Sequence, residues 1–340
     1  VRFTRIDRPV PGAEPADAVV NLVFLANLAA QETTGDTASS TSVERVQHRL
    51  RGSVEYDTLA FALEVPDEDP AGYLLVSTPL MEDRDVVEAE VILDAGHLPL
   101  PGAGFEPEGR AVLSTLFAEA EAVTACLGRS VVQTWLLHPA DETPGTGEWA
   151  DLLRERGYSL GLTEIQGVVE VDAGTPDWPS GVTVEVVRNL RFPPPLIDGV
   201  LALYHRASVD VPTGGLVAEP VDWTRERLAA AARRVVNTGR EMVSVVLSDA
   251  TGVIGISEIT RFPGSEPGIA EQGITAIDVR ARGNGYGLRI KQEALRAAAE
   301  HLGATRVYTS NAADNTWMVD INRRLGWRVV SGGSGWQKRL

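Results

Sequence analysis

One breaker and a repeated order of elements limit how this chain can fold. The segment VDAGTPDWPSGVT, residues 171–183, places two prolines and two glycines between stretches of apolar periodicity, the mark of a linker. It divides the chain into halves of about 170 residues, the usual size of a domain. Downstream, the alternating VTVEVV reads as a strand and PLIDGVLALYHRA as a helix with Leu196, Val200 and Leu203 on one face. WTRERLAAAARRVVNTG is a second helix stopped by Gly239, and MVSVVLS and GVIGISEITRF form a hairpin about DATG. IAEQGITAIDV, residues 269–279, is a strand, followed by a helix carrying Leu288, Leu295, Ala298 and Leu302 on one face and ending at Gly303. TRVYTSN is a strand, NTWMVDINRRLG a helix, and WRVV with GWQKRL a final strand pair. Upstream of the linker the same order returns in weaker form. The expected fold class is therefore α/β, a mixed sheet flanked by helices, built twice, with domains at 1–172 and 182–340.

Composition bounds what such a pair of domains can do. The 340 residues carry a formal charge of −16 with a pI near 4.8, a field that repels nucleic acid and anionic membranes and attracts cationic small molecules. The expected partner is a small-molecule amine, with no nucleic acid and no membrane, and the protein is expected to be a monomer or homodimer. The apolar run VVNLVFLANLAA is too short to cross a bilayer, and residues 1–15 lack the pattern of a secretory leader. A single cysteine, Cys126, excludes an internal disulfide, so a reducing cytoplasm is expected. Five histidines lie scattered without ligand spacing, and no metal site is expected. Of these, His205 stands on the first helix of the second half, a candidate for the acceptor pocket as well as for the surface.

Chemistry concentrates in VRARGNGYGLRIKQEAL. A strand that runs into Gly283, Gly285 and Gly287 and then a helix leaves amides unpaired at a positively polarised helix end, ready for phosphate oxygens. Glycine at these positions keeps side chains away and permits positive φ, and Arg282 adds a charged donor. A dinucleotide fingerprint needs Gly-x-Gly-x-x-Gly and a later acid, and a nucleotide P-loop needs Gly-Lys-Ser or Gly-Lys-Thr. Here the spacing differs, and Lys291 stands four residues too late. A plain turn without ligand is the remaining reading of the loop alone.

The surroundings carry more. TAIDVRARGNGYGLRIKQEAL resembles the acyl-CoA-binding segment of the Gcn5-related N-acetyltransferases (GNAT), with Arg282, Gly285 and Gly287 in its three slots. TSNAADNTWMVDINRRLGW is similar to the later segment of that family through Asn311, Asn315, Met318, Asn322, Leu325, Gly326 and Trp327. The resemblance covers residues 182–340 and implies an acetyl-CoA-dependent N-acetyltransferase with acetyl-CoA as cosubstrate. It implies that the strand before the loop splays from its parallel neighbour, so that Ile277, Asp278 and Val279 offer backbone groups to the pantetheine arm. The amides of Gly283, Asn284, Gly285, Tyr286, Gly287 and Leu288 would hold the pyrophosphate, and Asn315 would donate to the pantetheine. Tyr308 and Trp327 either line that groove or fill the core.

Acyl transfer to an amine needs a base to take its proton and an acid for the departing thiolate. Glu271, on the strand leading to the loop, and Glu258, in the apolar context GISEIT where burial would raise its pKa, are the two candidate bases. In many members of the family a tyrosine on the last helix is the acid. Asn322 stands at that position and cannot release a proton, which leaves water, another residue such as Tyr286 or Tyr308, or no donor at all.

At the matching place the first half reads ILDAGHLPLPGAGFEPEGRAVLSTL. Pro99 and Pro101 remove amide donors, and Asp94, Glu106 and Glu108 add negative charge where a pyrophosphate would lie; GAG at 102–104 could still turn the chain. The first domain is expected to be a degenerate copy that binds no cofactor, an architecture similar to tandem members such as mycothiol synthase. A catalytically silent acyl-CoA sensor or scaffold, and a protein N-acetyltransferase, are the alternative functions. SVDVPTGGLVAEPVDW is long enough to act as a lid over the acceptor.

Overall fold

The computed structural model describes residues 1–99, 104–172 and 174–340. Contacts divide the chain into two compact units: Val1–Glu164 with Thr213–Ala218 and Ser331–Leu340, and Ile165–Pro212 with Glu219–Val330. The division differs from the linker reading in three respects, the first being that Thr213–Ala218 belongs to the first unit. The boundary falls inside a strand at 164/165, and the last ten residues belong to the first unit.

In chain order the first unit has β1 (Arg2–Arg5), α1 (Asp17–Thr34), α2 (Val43–Arg51), β2 (Tyr56–Glu64), β3 (Gly72–Pro79), β4 (Val86–Leu93), α3 (Pro107–Cys126), β5 (Val131–Pro139) and α4 (Glu148–Glu155). β6 (Ser159–Glu170) crosses the boundary. The second series is β7 (Thr183–Arg188), α5 (Pro194–Asp210), α6 (Arg225–Asn237), β8 (Glu241–Asp249), β9 (Gly252–Arg261), β10 (Ile269–Ile277), α7 (Tyr286–Leu302), β11 (Arg306–Ala312), α8 (Thr316–Arg324) and β12 (Arg328–Arg339). The order strand, two helices, three strands, helix, strand, helix, strand thus occurs twice, as the repeat in the sequence predicts.

Strands run β1-β2-β3-β4-β5-β12 in the first unit and β6-β11-β10-β9-β8-β7 in the second. β4 with β5 and β10 with β11 pair in parallel, while β1–β2, β2–β3, β3–β4, β5–β12, β7–β8, β8–β9 and β9–β10 are antiparallel. Apolar alternation places two layers of helix on the second unit's sheet. Ile290, Ala294, Leu295 and Ala298 of α7 pack with Val243, Val245 and Val307 on one face, and Leu196, Val200 and Leu203 of α5 with Val246 and Ile256 on the other.

Two strands correct the sequence reading. The expected pair WRVV and GWQKRL is one twelve-residue strand, β12, whose C-terminal part pairs with β5 from Ser331 opposite Pro139 to Arg339 opposite Val131. Its glycines are not a turn. A Cβ at Gly332 would lie 2.6 Å from Pro144 Cγ and one at Gly335 2.9 Å from Leu216 Cδ1, so glycine stands there because neighbours press on the backbone. β6 went unread for the same reason: a Cβ at Gly167 would lie 2.3 Å from Trp327 Nε1. The expected lid is also tied down in its middle, where Gly215 N donates to Gly161 O at 2.8 Å and Val217 N to Gln337 Oε1 at 2.9 Å.

Candidate functional site

The site is built around a fork between two strands. β10 and β11 pair only from Ile269 opposite Arg306 to Glu271 opposite Tyr308, although β10 continues to Ile277 and β11 to Ala312. Beyond Glu271, β10 keeps its pairing with β9 through a bulge between Gln272 and Thr275, and this bends it away from β11. Backbone groups on the inner edges of the fork are left for another partner.

β10 ends at Ile277, and Asp278, Val279 and Arg280 do not continue it. Asp278 N donates to Ile254 O at 2.9 Å, and its carboxylate caps a 3-10 turn, Val279–Ala281, by accepting from Arg280 N. Val279 is therefore half exposed on a turn and not on the strand edge that the sequence reading assigned to it. Four residues, Arg282–Gly285, then lead into α7. Gly283 and Gly285 have φ of +81° and +73°, conformations that side chains disfavour. Nothing lies within 4 Å of a Cβ built on Gly283. The first helical bond of α7 runs from Arg289 N to Gly285 O at 3.4 Å, so the amides of Tyr286, Gly287 and Leu288 precede the ladder, and no side chain caps them. Such an end, uncapped and positively polarised, can accept a diphosphate.

The loop is braced on both sides. Asn284 Nδ2 donates to Ala281 O at 3.1 Å, and Arg289 Nη1 to Asn284 O at 3.0 Å. Arg282 is not idle at the rim: its Nε donates to Ile277 O at 3.1 Å and its Nη2 to Asp210 at 2.5 Å. The Tyr286 ring lies tilted beside Trp178, with ring centres 6.4 Å apart. Ile321 of α8 reaches within 3.0 Å of a Cβ at Gly287, which sets α8 against the start of α7. Asn315 caps α8, accepting from Met318 N at 3.2 Å through Oδ1 and keeping its amide nitrogen as a donor. Asn311 Nδ2 is buried with no partner among the described residues, and Trp327 lies in the core.

Both candidate bases lie on one face of the sheet. Glu271 opposes Thr260, and Glu258, two residues along β9, points the same way, a diagonal separation of about 7–8 Å between Cα atoms. Glu258 is 5% exposed. Its Oε1 accepts from Tyr204 Oη of α5 at 2.5 Å and from Ser244 Oγ of β8 at 2.8 Å. Burial pushes its pKa up to about 7, with the two hydrogen bonds acting in the opposite direction. Tyr204 in turn packs on Trp223 at 4.7 Å between ring centres. A cleft of about 290 Å³ lined by Arg206, Asp278 and Arg280 lies beside the loop, and neither glutamate lines it. His205 is on the exposed side of α5 and contacts Val221 O at 3.0 Å, away from Glu258.

Sequence reasoning missed two partners of these groups. Tyr204 was read only as part of an amphipathic helix, and no local signal paired it with Glu258. Lys291 was considered only as a misplaced P-loop lysine. It is 3% exposed, its Nζ donates to Asn322 Oδ1 at 2.7 Å, and burial pushes its pKa down to about 7. Among the described residues no group of three or more His, Cys, Asp or Glu side chains could hold a metal, and no helix is long and apolar enough to cross a membrane.

Residues 202–328 match the family model described as Acetyltransferase (GNAT) domain. Solved structures share the fold over the full chain. A tandem GNAT protein from the clavulanic acid biosynthesis pathway has a TM-score of 0.75 at 19% identity, with 99% of this chain and 98% of that chain covered. A GCN5-related N-acetyltransferase from Sphaerobacter thermophilus follows at 0.67 and 19%, covering 99% and 95%. A GNAT-family acetyltransferase from Colwellia psychrerythraea gives 0.56 at 8%, covering 99% of each chain. No curated protein matches the chain.

Proposed function

From a chain whose residues 202–328 match the GNAT acetyltransferase domain and whose fold is that of a tandem GNAT protein, we propose a transfer of the acetyl group from acetyl-CoA to a small cationic amine, with the chemistry confined to the second unit. The observation that carries this reading is the uncapped start of α7, with Gly283 and Gly285 at positive φ, beside the fork of β10 and β11. Bound there, acetyl-CoA supplies a thioester open to nucleophilic attack. The amides of Gly283–Leu288 hold its diphosphate, Ile277 and Asn315 pair with the amide-bearing arm in the fork, and Arg282 holds the loop to Ile277 and Asp210.

Glu258 takes the proton of the amine. A carboxylate of pKa about 7 is half ionised at neutral pH and matched to that transfer. Tyr204 and Ser244 keep its Oε1 fixed, and Glu271, on the same face, adds the second negative charge that draws in a cation. The net charge of −16 supports the same choice of acceptor. The first unit binds no acetyl-CoA.

Calorimetry with acetyl-CoA, followed by thiol release against a panel of primary amines and polyamines, tests the reading. Binding with release on at least one amine supports it. Binding with no release on any amine assigns a sensor instead, and release only with peptide amines assigns a protein N-acetyltransferase.

A further inference from the structure

Helix α7 buries a charged residue between apolar neighbours, Ile290 on one side and Ala294 on the next turn. The ammonium of Lys291 carries three donors, yet among the described residues it makes a single hydrogen bond, to Asn322 Oδ1 of α8. Asn322 is wholly buried, and its Nδ2 has no partner among the described residues. Two further buried atoms are unpartnered on the strands that form the fork: Oε1 of Gln272, the first residue past the last β10–β11 pair, and Nδ2 of Asn311. Protein interiors rarely leave such groups unpaired. Together on the segments around one opening, they mark a place that a polar ligand completes. Asn322 also stands in the slot where the sequence pattern leads one to expect an acid for the leaving thiolate, and a carboxamide has no proton to give.

We propose that Lys291, oriented by Asn322, is the acid that delivers a proton to the departing coenzyme A sulfur. The inference rests on the acetyl-transfer reading and names the proton donor which that reading lacks. As the amine nitrogen bonds to the carbonyl carbon, its proton passes to Glu258. The C–S bond breaks with its electron pair on sulfur, and Lys291 gives the sulfur a proton and becomes a neutral amine. Water carries the Glu258 proton away and returns one to Lys291; an amine that arrives as an ammonium gives its first proton to solvent before attack, so the overall reaction releases one proton. Asn322 is a positioning residue: its Oδ1 holds the ammonium and touches no reacting atom.

Burial alone accounts for the lowered pKa of Lys291. The charged groups of the elements packed on α7 face elsewhere. Glu293 pairs with Arg296, and Asp320, Arg323 and Arg324 of α8 are exposed. Glu258 and Glu271 point to the α5 face of the sheet, and Glu241, Asp249 and Arg261 stand at strand ends.

The test uses the full chain and coenzyme A itself, whose thiol ionisation is read by ultraviolet absorbance across pH. Beside a cationic Lys291 the bound thiol is expected to ionise about one pH unit or more below the free thiol. In Lys291→Met it returns to the free value, and turnover of acetyl-CoA falls about a hundredfold. A thiol that ionises at the same pH in both proteins, while both bind coenzyme A, overturns the proposal and leaves the acetyltransferase reading standing. Absence of coenzyme A binding to the unmodified protein overturns both. Should Lys291→Met fail to fold, lysine NMR on the unmodified protein decides, because the chain has only two lysines, Lys291 and Lys338. Bound thiolate is expected to raise the titration midpoint of Lys291 alone, and an unmoved midpoint overturns the proposal.

Discussion

Helix α7 begins four residues after a 3-10 turn capped by Asp278, and helix α3 begins nine residues after a matching turn, Ala95–His97, capped by Asp94. Both follow a fork, since β4 and β5 pair only from Val86 opposite Val131 to Ala89 opposite Thr134 and both continue beyond. From there the two units diverge. At α7 no side chain caps the leading amides, and nothing lies within 4 Å of a Cβ built on Gly283. At α3 the first residue is Pro107, which has no N–H, the cap position is Glu106, and a Cβ at Gly109 would lie 2.4 Å from His97 O. Phe105 N is already bound to Glu148 at 2.5 Å. Pro99 precedes this segment within the described residues; Pro101 and most of the GAG stretch lie outside them. A strand fork is thus a property of the fold, whereas an anion site also needs donors that nothing else has claimed.

The sharpest way to break this comparison is stoichiometry. Calorimetry is expected to find one acetyl-CoA per chain, with no detectable heat in Gly285→Glu, which forces a side chain into positive φ and adds a negative charge at the amides. Glu106→Gly should leave the isotherm unchanged. Two sites per chain, or binding lost through Glu106, would dissolve the distinction.

Next in size is the base. Glu258→Gln should lower kcat about a thousandfold and abolish the acid-side limb of the rate profile, below about pH 7. Glu88→Gln, at a half-buried strand carboxylate of the first unit whose pKa desolvation also raises, should leave both unaltered.

Glu258 also sharpens the comparison through stability. Its folded pKa of about 7 lies above the ordinary value of 4.5, so the native state holds the extra proton. Its contribution is complete below pH 4.5 and is lost as pH rises through 7, about 3 kcal/mol in all. Denaturant titrations at both ends should show that fall in the parent and not in Glu258→Gln. Lys291 acts in the other direction: with its pKa lowered from 10.5 to about 7, stability rises with pH across that interval, and Lys291→Met should remove the rise.

Smallest is the brace on the loop. Asp210→Asn frees Arg282 from its ion pair and should change the acetyl-CoA dissociation constant by about threefold, as expected for an exposed pair. A change beyond about thirtyfold would mean that Arg282, and not the amide array, dominates binding.

Where the sequence was legible, the signal was local. Apolar periodicity and helix stops placed α3, α7 and the hairpin β8–β9, and the glycines before α7 announced their backbone. Where it misled, a glycine carried a tertiary meaning. The glycine-rich stretch between WRVV and GWQKRL read as a break between two strands, yet Gly332 and Gly335 let Pro144 and Leu216 press on the single strand β12. Val279 read as strand because its neighbours alternate, but Asp278 turns the chain by capping Arg280. Glu258 was legible as a carboxylate in an apolar strand, while Tyr204, 54 residues earlier, could not be tied to it before α5 was laid on the sheet.

By itself the sequence determined the two-fold repeat, the α/β class and the amide-rich start of α7, because each follows from the conformational preference of a few adjacent residues. Only the tertiary structure decided that β12 completes the first unit, that Glu258 titrates near neutrality, and that Lys291 meets Asn322. Those outcomes depend on burial and on contacts between residues far apart in the chain, and a local pattern contains neither.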